Sequence, residues 1–160
     1  FMDFDEGYFN TNPHGKYEKL KRPLKNIYIA YSHTLAEGSE KTHGELRDRF
    51  EAGDTQMLEA VESWKNLTTA YRNALQHDDF AKMNECINTN FDIRNKLVTL
   101  HPQQVNLVML ARKSGASAKF CGSGGAIIGM YQNQEMLERL KMSFTKTNVN
   151  ILLPNIVYSS

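Results

Sequence analysis

The residues best equipped for chemistry in this sequence lie close together: Lys119, Cys121 and the run Gly122-Ser123-Gly124-Gly125. Adjacent glycines reach backbone angles that other residues avoid, so several successive N–H groups can point into one concavity. Such a concavity suits phosphate or another anion, and Lys119, three residues before Gly122, adds a positive charge. The same run also serves as a tight turn between two core strands, where glycine is needed for the bend alone. Its spacing matches neither Gly-x-Gly-x-x-Gly nor Gly-x-x-x-x-Gly-Lys-Ser/Thr, so neither the dinucleotide fingerprint nor the P-loop applies. Cys121 reads as a small buried residue, with an oxidation-sensitive thiol as the alternative.

The elements that must position this loop are legible around it. Gly115 ends a helical pattern, Phe120-Cys121 reads as a short strand, and Ala126 to Tyr131 reads as a buried one. Upstream, Phe1 to Arg22 alternates aromatic and polar groups and reads as a short strand and connector. Leu24 to Ser32 is β-branched and aromatic, a central strand. Thr42-His43-Gly44-Glu45 fits a capping box at the start of a short helix that runs to about Ala52 and ends at Gly53. Asp54 caps the next helix, whose apolar stripe is Met57, Val61, Trp64, Thr68, Tyr71 and Leu75. After His77-Asp78-Asp79 a helix runs from Phe80 to Leu97. Phe80, Met83, Ile87 and Phe91 form one face of it, and Asn84, Asn88 and Asp92 another stripe. Pro102 marks a buried helix over Gln103 to Ser114. Asn133 to Thr145 is amphipathic, and Val149 to Leu153 closes the chain as a strand, extended toward Val157. With the inserted helices set aside, the order is α+β: a ferredoxin-like β-α-β-β-α-β core, elaborated between its first strand and its core helix.

Composition bounds the rest. The chain has 160 residues, 41% of them hydrophobic, enough for one cored domain or a piece of a larger protein. Its 19 basic and 18 acidic residues give a net charge of +1 with no charge run, which argues against broad nucleic-acid or anionic-membrane binding. The five histidines and two cysteines show no metal-ligand spacing and no pairing pattern. No apolar run approaches the ~18 residues of a membrane span, and no signal peptide is recognised. These features lead us to expect a cytoplasmic protein. The first residue is Phe1 rather than methionine, which reads as an internal piece of a longer polypeptide.

The stretch Ala118-Lys119-Phe120-Cys121-Gly122-Ser123-Gly124-Gly125-Ala126 after a helix ending at Gly115 resembles the third signature of the GHMP small-molecule kinases, roughly Gly/Ala-x-Lys-x-x-Gly-x-Gly-Gly-Gly. Four further segments are similar to the glucuronokinase branch of that family: His14-Gly15-Lys16-Tyr17-Glu18, Ser39-Glu40-Lys41-Thr42-His43, Arg47 to Asp54, and Asn88-Thr89-Asn90-Phe91-Asp92-Ile93-Arg94. The third glycine of the usual run is Ala126 here. The family's Pro-x-x-x-Gly-Leu-x-Ser-Ser loop, which wraps the ATP phosphates, is absent from the sequence.

The resemblance implies a C-terminal kinase domain over residues 23–160, with residues 1–22 a strand and connector from a preceding N-terminal domain. It implies ATP and Mg²⁺ as cofactors of the intact enzyme, a sugar acid as substrate, and glucuronate 1-phosphate as product. Lys119, Gly122, Ser123, Gly124 and Gly125 would line the phosphate side. Arg94 would take the uronate carboxylate, since guanidinium offers a planar two-pronged donor set. Asp92 would accept from sugar hydroxyls or hold Arg94, and Lys41 and His43 would line the cleft; Asn88 and Asn90 are similarly placed. No catalytic base and no metal ligand is assigned, and the chain alone is expected to be inactive. Two alternatives stay open: a stand-alone ferredoxin-like anion-binding or regulatory module, and a GHMP kinase for another sugar.

Overall fold

The structure, a computed structural model, describes residues 1–20, 22–35, 39–145 and 147–156, and of residues 39–43 the backbone alone. The elements run β1 (Met2–Asp3), α1 (Glu6–Phe9), β2 (Lys16–Tyr17), β3 (Ile27–Tyr31), α2 (Ser39–Glu51), α3 (Thr55–Gln76) and α4 (Phe80–Leu97). They continue as α5 (Pro102–Lys113), β4 (Lys119–Phe120), β5 (Ala126–Met130), α6 (Gln134–Phe144) and β6 (Asn150–Leu152). Strands β4-β5-β3-β6 form one sheet in that order, every neighbouring pair antiparallel. With α5 preceding β4 and α6 between β5 and β6, this is the expected ferredoxin-like α+β core, and α2, α3 and α4 are its insertion after the first strand.

Strand alternation sends side chains to two faces. Tyr28, Ala30 and Ile127 meet Leu107, Val108 and Ala111 of α5 and Leu137, Leu140 and Phe144 of α6. Ile27 and Met130 lie instead with Leu75 of α3 and Met83 and Ile87 of α4. Both faces of the sheet are therefore covered by helices.

The approach to β4 is tied to the middle of the sheet. Tyr28, fully buried, donates its phenol hydrogen to the Ser117 carbonyl at 2.7 Å. Met130 N–H donates to Ser117 Oγ at 3.0 Å, and Ser117 N–H donates to the Met130 carbonyl at 3.1 Å. Gly129 sits opposite Tyr28 in the ladder, where an added Cβ would lie 1.7 Å from the Ser117 oxygen. Only a residue without a side chain lets the backbone come this near.

The inserted helices are joined at one corner. Arg49 donates through Nε and Nη2 to both oxygens of Asp54 at 3.1 Å, and through Nη1 to the Leu97 carbonyl at 2.6 Å. Asp54 also accepts from Met57 N–H at 2.9 Å and so caps α3. The Arg49 hydrogen bond first, and the Met57 N–H second, hold the Asp54 carboxyl below its ordinary value. Residues 1–20 dock on α3: Glu18 pairs with Arg72, whose guanidinium lies 4.6 Å from the Phe1 ring centroid.

Several boundaries differ from the sequence reading. β3 begins at Ile27, not Leu24, because Asn26 takes a left-handed backbone (φ 54) and breaks the extended run. α2 begins at Ser39, so Thr42 lies inside the helix and the Thr42–Glu45 capping box does not mark its start; nothing in Ser39-Glu40-Lys41 stops a helix from extending back. Residues 1–20 hold two paired two-residue strands around α1 rather than one strand. Asp5 accepts from Tyr8 N–H at 3.1 Å and starts a helical turn within the aromatic alternation. β6 ends at Leu152, and Val157 lies outside the described residues.

Tyr28→Phe leaves the buried Ser117 carbonyl without its phenol donor. It should lower unfolding stability by about 1–3 kcal/mol in urea titrations. Asp54 ionises more readily folded than unfolded, so its contribution is complete above the unfolded value of about 3.9 and is lost as pH falls through the lower folded value. Melting curves against pH should therefore show the gap between the wild type and Asp54→Asn closing on acidification.

Candidate functional site

The glycine run connects β4 to β5. The ladder pairs Phe120 with Ile127, and Cys121 N–H donates to the Ala126 carbonyl at 3.0 Å before the chain turns. Gly125 adopts φ 75, the left-handed region that glycine reaches at little cost. Gly124 lies against the buried Gln104: an added Cβ there would be 2.4 Å from Gln104 Oε1. Gln104 Nε2 donates to the Leu35 carbonyl at 3.0 Å, so one carboxamide spans the turn and the segment after β3.

Two carbonyls of the turn are held. Arg94 Nη1 donates to the Gly122 oxygen, and Ser32 N–H donates to the Gly125 oxygen at 3.0 Å. Among the described residues, no acceptor takes the N–H groups of Gly122, Ser123, Gly124 or Gly125. The turn is thus anchored through its oxygens, and its N–H groups have no acceptor among the described residues, a polarity compatible with an anion.

Charge sits beside these donors. Arg94, from the last turn of α4, has its guanidinium carbon 5.9 Å from the Phe120 ring centroid. Burial draws the Arg94 value down. Lys119 Nζ donates to the Phe120 carbonyl at 3.2 Å. Burial is also the main cause that lowers the Lys119 ammonium, and the nearby Arg94 charge lowers it further. Both cations are half-buried, and burial lowers the value of each.

Asp92 goes elsewhere. It pairs with Arg112 Nη1 of α5 at 2.7 Å, not with Arg94 two residues on. Arg112 Nη2 also donates to the Asn88 carbonyl at 2.8 Å and the Ala118 carbonyl at 3.3 Å, and its guanidinium lies 5.2 Å from the Phe91 ring centroid. Asn88 Oδ1 accepts from Ala118 N–H at 3.0 Å. Asn88, Asp92 and Arg112 thus form a clamp on the residue that leads into β4. The Asn90 carbonyl accepts from Trp64 Nε1 at 3.2 Å.

Arg94, Lys119 and Gly122–Gly125 are therefore brought together, and Asp92 is set into a neighbouring network. Cys121 is exposed rather than buried, because the ladder stops at Phe120 and Cys121 opens the turn. The Lys41 and His43 side chains lie outside the described residues. The sequence reading missed Arg112 and Gln104. Gln104 had a signal: it falls in step with Leu107, Val108 and Ala111 on the buried stripe of α5. Arg112 had none, since a basic residue in a last helical turn is ordinarily a dipole partner. Among the described residues, no group of three or more His, Cys, Asp or Glu is placed to hold a metal ion. No helix among them is long and apolar enough to cross a membrane.

Arg112→Met strips a donor from two backbone carbonyls and a partner from Asp92. It should cost about 2–4 kcal/mol in chemical unfolding. Asp92→Asn keeps a hydrogen-bonding side chain on a half-exposed partner and should cost under about 1 kcal/mol. Equal losses from the two changes would show that Ala118 is held by something else.

No family model matches the chain. Two curated relatives do: glucuronokinase 1 of Arabidopsis thaliana, 31% identical over 131 residues, and probable glucuronokinase 2 of the same plant, 30% identical over 131 residues. Each alignment covers 79% of this chain and 36% of the relative, so the chain spans little more than a third of their length. Among solved structures, the Leishmania major (L. major) mevalonate kinase complex with R-mevalonate superposes with a TM-score of 0.73 at 14% identity, over 82% of this chain and 41% of that one. The Streptococcus pneumoniae phosphomevalonate kinase superposes with a TM-score of 0.68 at 15% identity, over 93% of this chain and 47% of that one. By sequence the chain is similar to a little over a third of the glucuronokinases, and by fold it is similar to part of the mevalonate and phosphomevalonate kinase structures.

Proposed function

We propose that this chain is the C-terminal, phosphate-facing part of an ATP-dependent sugar-acid kinase acting on glucuronate. The observation that carries the reading is the Gly122–Gly125 turn, with its N–H groups free of described acceptors and Arg94 and Lys119 beside it. Its similarity to glucuronokinases supports the choice of substrate. In this reading the anomeric hydroxyl oxygen attacks the γ-phosphorus of ATP and the bond to the β,γ-bridging oxygen breaks. ADP leaves, and the hydroxyl proton passes to a base outside this chain. Phosphoryl transfer needs positioning and charge neutralisation more than covalent work by the protein, and donors with two poorly solvated cations supply both. Arg94 also has donors beyond the one used on Gly122, enough to meet the uronate carboxylate.

In this reading a Mg²⁺ accompanying ATP would be held by the nucleotide phosphates and groups of the preceding domain. The family's ATP-wrapping loop belongs, in this reading, to a preceding domain that residues 1–22 join. Exposed Met2, Phe4, Phe9 and Tyr17 give that segment apolar surface for such a contact. The reading places the reaction in the cytoplasm.

The test is made on the longer protein that carries this chain, with ATP and Mg²⁺. Glucuronate should yield glucuronate 1-phosphate and neutral hexoses should not react, read by phosphorus NMR; the opposite selectivity would overturn the substrate assignment. The 160-residue chain alone should show no turnover. Arg94→Ala should raise KM for glucuronate about tenfold or more, the effect of losing a charge-assisted contact. A fall in kcat at unchanged KM would assign Arg94 to holding the turn instead.

A further inference from the structure

A cavity lies on the other side of β4 from the α5–α6 core. It has a volume of about 250 Å³ and lies, open on one side, between the sheet and the α3–α4 pair. Leu67 and Tyr71 of α3, Ile87 of α4, and Ile128 and Met130 of β5 form an apolar wall. Lys119 reaches it because the ladder pairs Lys119 with Ile128 and so sends both side chains to the same face. Among the described residues lining the cavity it is the only charged one.

The polar groups of the wall are unequally occupied. Thr68 Oγ1 donates to the Trp64 carbonyl at 2.9 Å, and the Tyr71 hydroxyl meets Met130 Sδ at 3.3 Å. Lys119 has one hydrogen bond, to the adjoining Phe120 carbonyl, and two more hydrogens to give. The Asn90 carboxamide bonds to no other described residue. An ammonium and an amide are thus left at an otherwise apolar wall, a poor place for water, which needs two to four polar partners.

From this arrangement we infer that the cavity binds a small amphiphilic carboxylate, with its acid on Lys119 and Asn90 and its apolar body between α3, α4 and β5. Two donor groups match the two oxygens of a carboxylate. A single cation balances one negative charge, whereas a phosphate dianion would bring unpaired charge into the cavity. An apolar cavity of about 150 Å³ holds a benzene ring, so this larger one has room for a ring and a short alkyl link. The site shares Lys119 with the kinase reading but requires neither nucleotide nor sugar.

The test titrates 3-phenylpropionate into the intact chain by calorimetry, with the neutral 3-phenylpropanol as its isostere. The acid should bind saturably, about tenfold or more tighter than the alcohol. Lys119→Met should erase that preference and retain the alcohol. No saturable binding of the acid, or an acid preference that survives Lys119→Met, would overturn the inference. Cys86 also lines the cavity, which gives a readout that leaves Lys119 intact. In a Cys121→Ser background the acid should slow labelling of Cys86 by a thiol reagent; unchanged labelling at saturating acid would overturn the placement. Because no nucleotide or sugar is present, either result leaves the kinase assay to be judged independently.

Discussion

The structure depends on how one short strand is held. β4 is two residues long, lies at the edge of its sheet and pairs on one side only. So brief a ladder has little hold of its own. What fixes it is the pair of hydrogen bonds on the Ala118 peptide groups, N–H to Asn88 Oδ1 and carbonyl to Arg112 Nη2. One residue earlier, Ser117 is bonded to Tyr28 and Met130. Side chains from α4 and α5 do for this strand what a second neighbour does for an interior one. Lys119 and the glycine turn inherit their positions from that arrangement.

The turn shows the same economy of groups. Its carbonyls at Gly122 and Gly125 are used for anchorage, and its N–H groups are left over. Had the assignment been reversed, the turn would present oxygens, which repel anions, beside two cations. Arg94 serves on both counts: it binds a turn carbonyl with one nitrogen and brings its charge to the donors. Partial burial lowers the Arg94 value, so an anion beside that guanidinium would replace some of the solvation it has lost.

Much of the fold was legible in the residues, and for a clear reason. The long helices announce themselves through apolar spacing and through Asp54, Asp79 and Pro102 at their starts, and the structure places α3, α4 and α5 there. The glycine turn and its flanking strands were visible in the same way, as was the element order from β3 onward. What the sequence hid was set by partners distant along the chain. Asp92 looked free to hold Arg94, yet α5 brings Arg112 to it from twenty residues on. Asn26 gave no sign of the left-handed backbone that shortens β3. Cys121 resembled a core residue by type, and only the ladder's end at Phe120 turned it outward. Local periodicity reports on helices well and on side-chain pairing across elements poorly.

The brevity of β4 has a mechanical consequence. Because its leading residue is bonded to α4 and α5, the donors of the glycine turn are referenced to the helical layer more than to the sheet. Arg94, which grips Gly122 from the end of α4, adds a second attachment to the same helix. A displacement of α4 along its axis would carry the turn with it, whereas flexing of the sheet would be absorbed at the single-sided edge. The glycine turn is in this sense a fixture of α4 that borrows its backbone from the sheet.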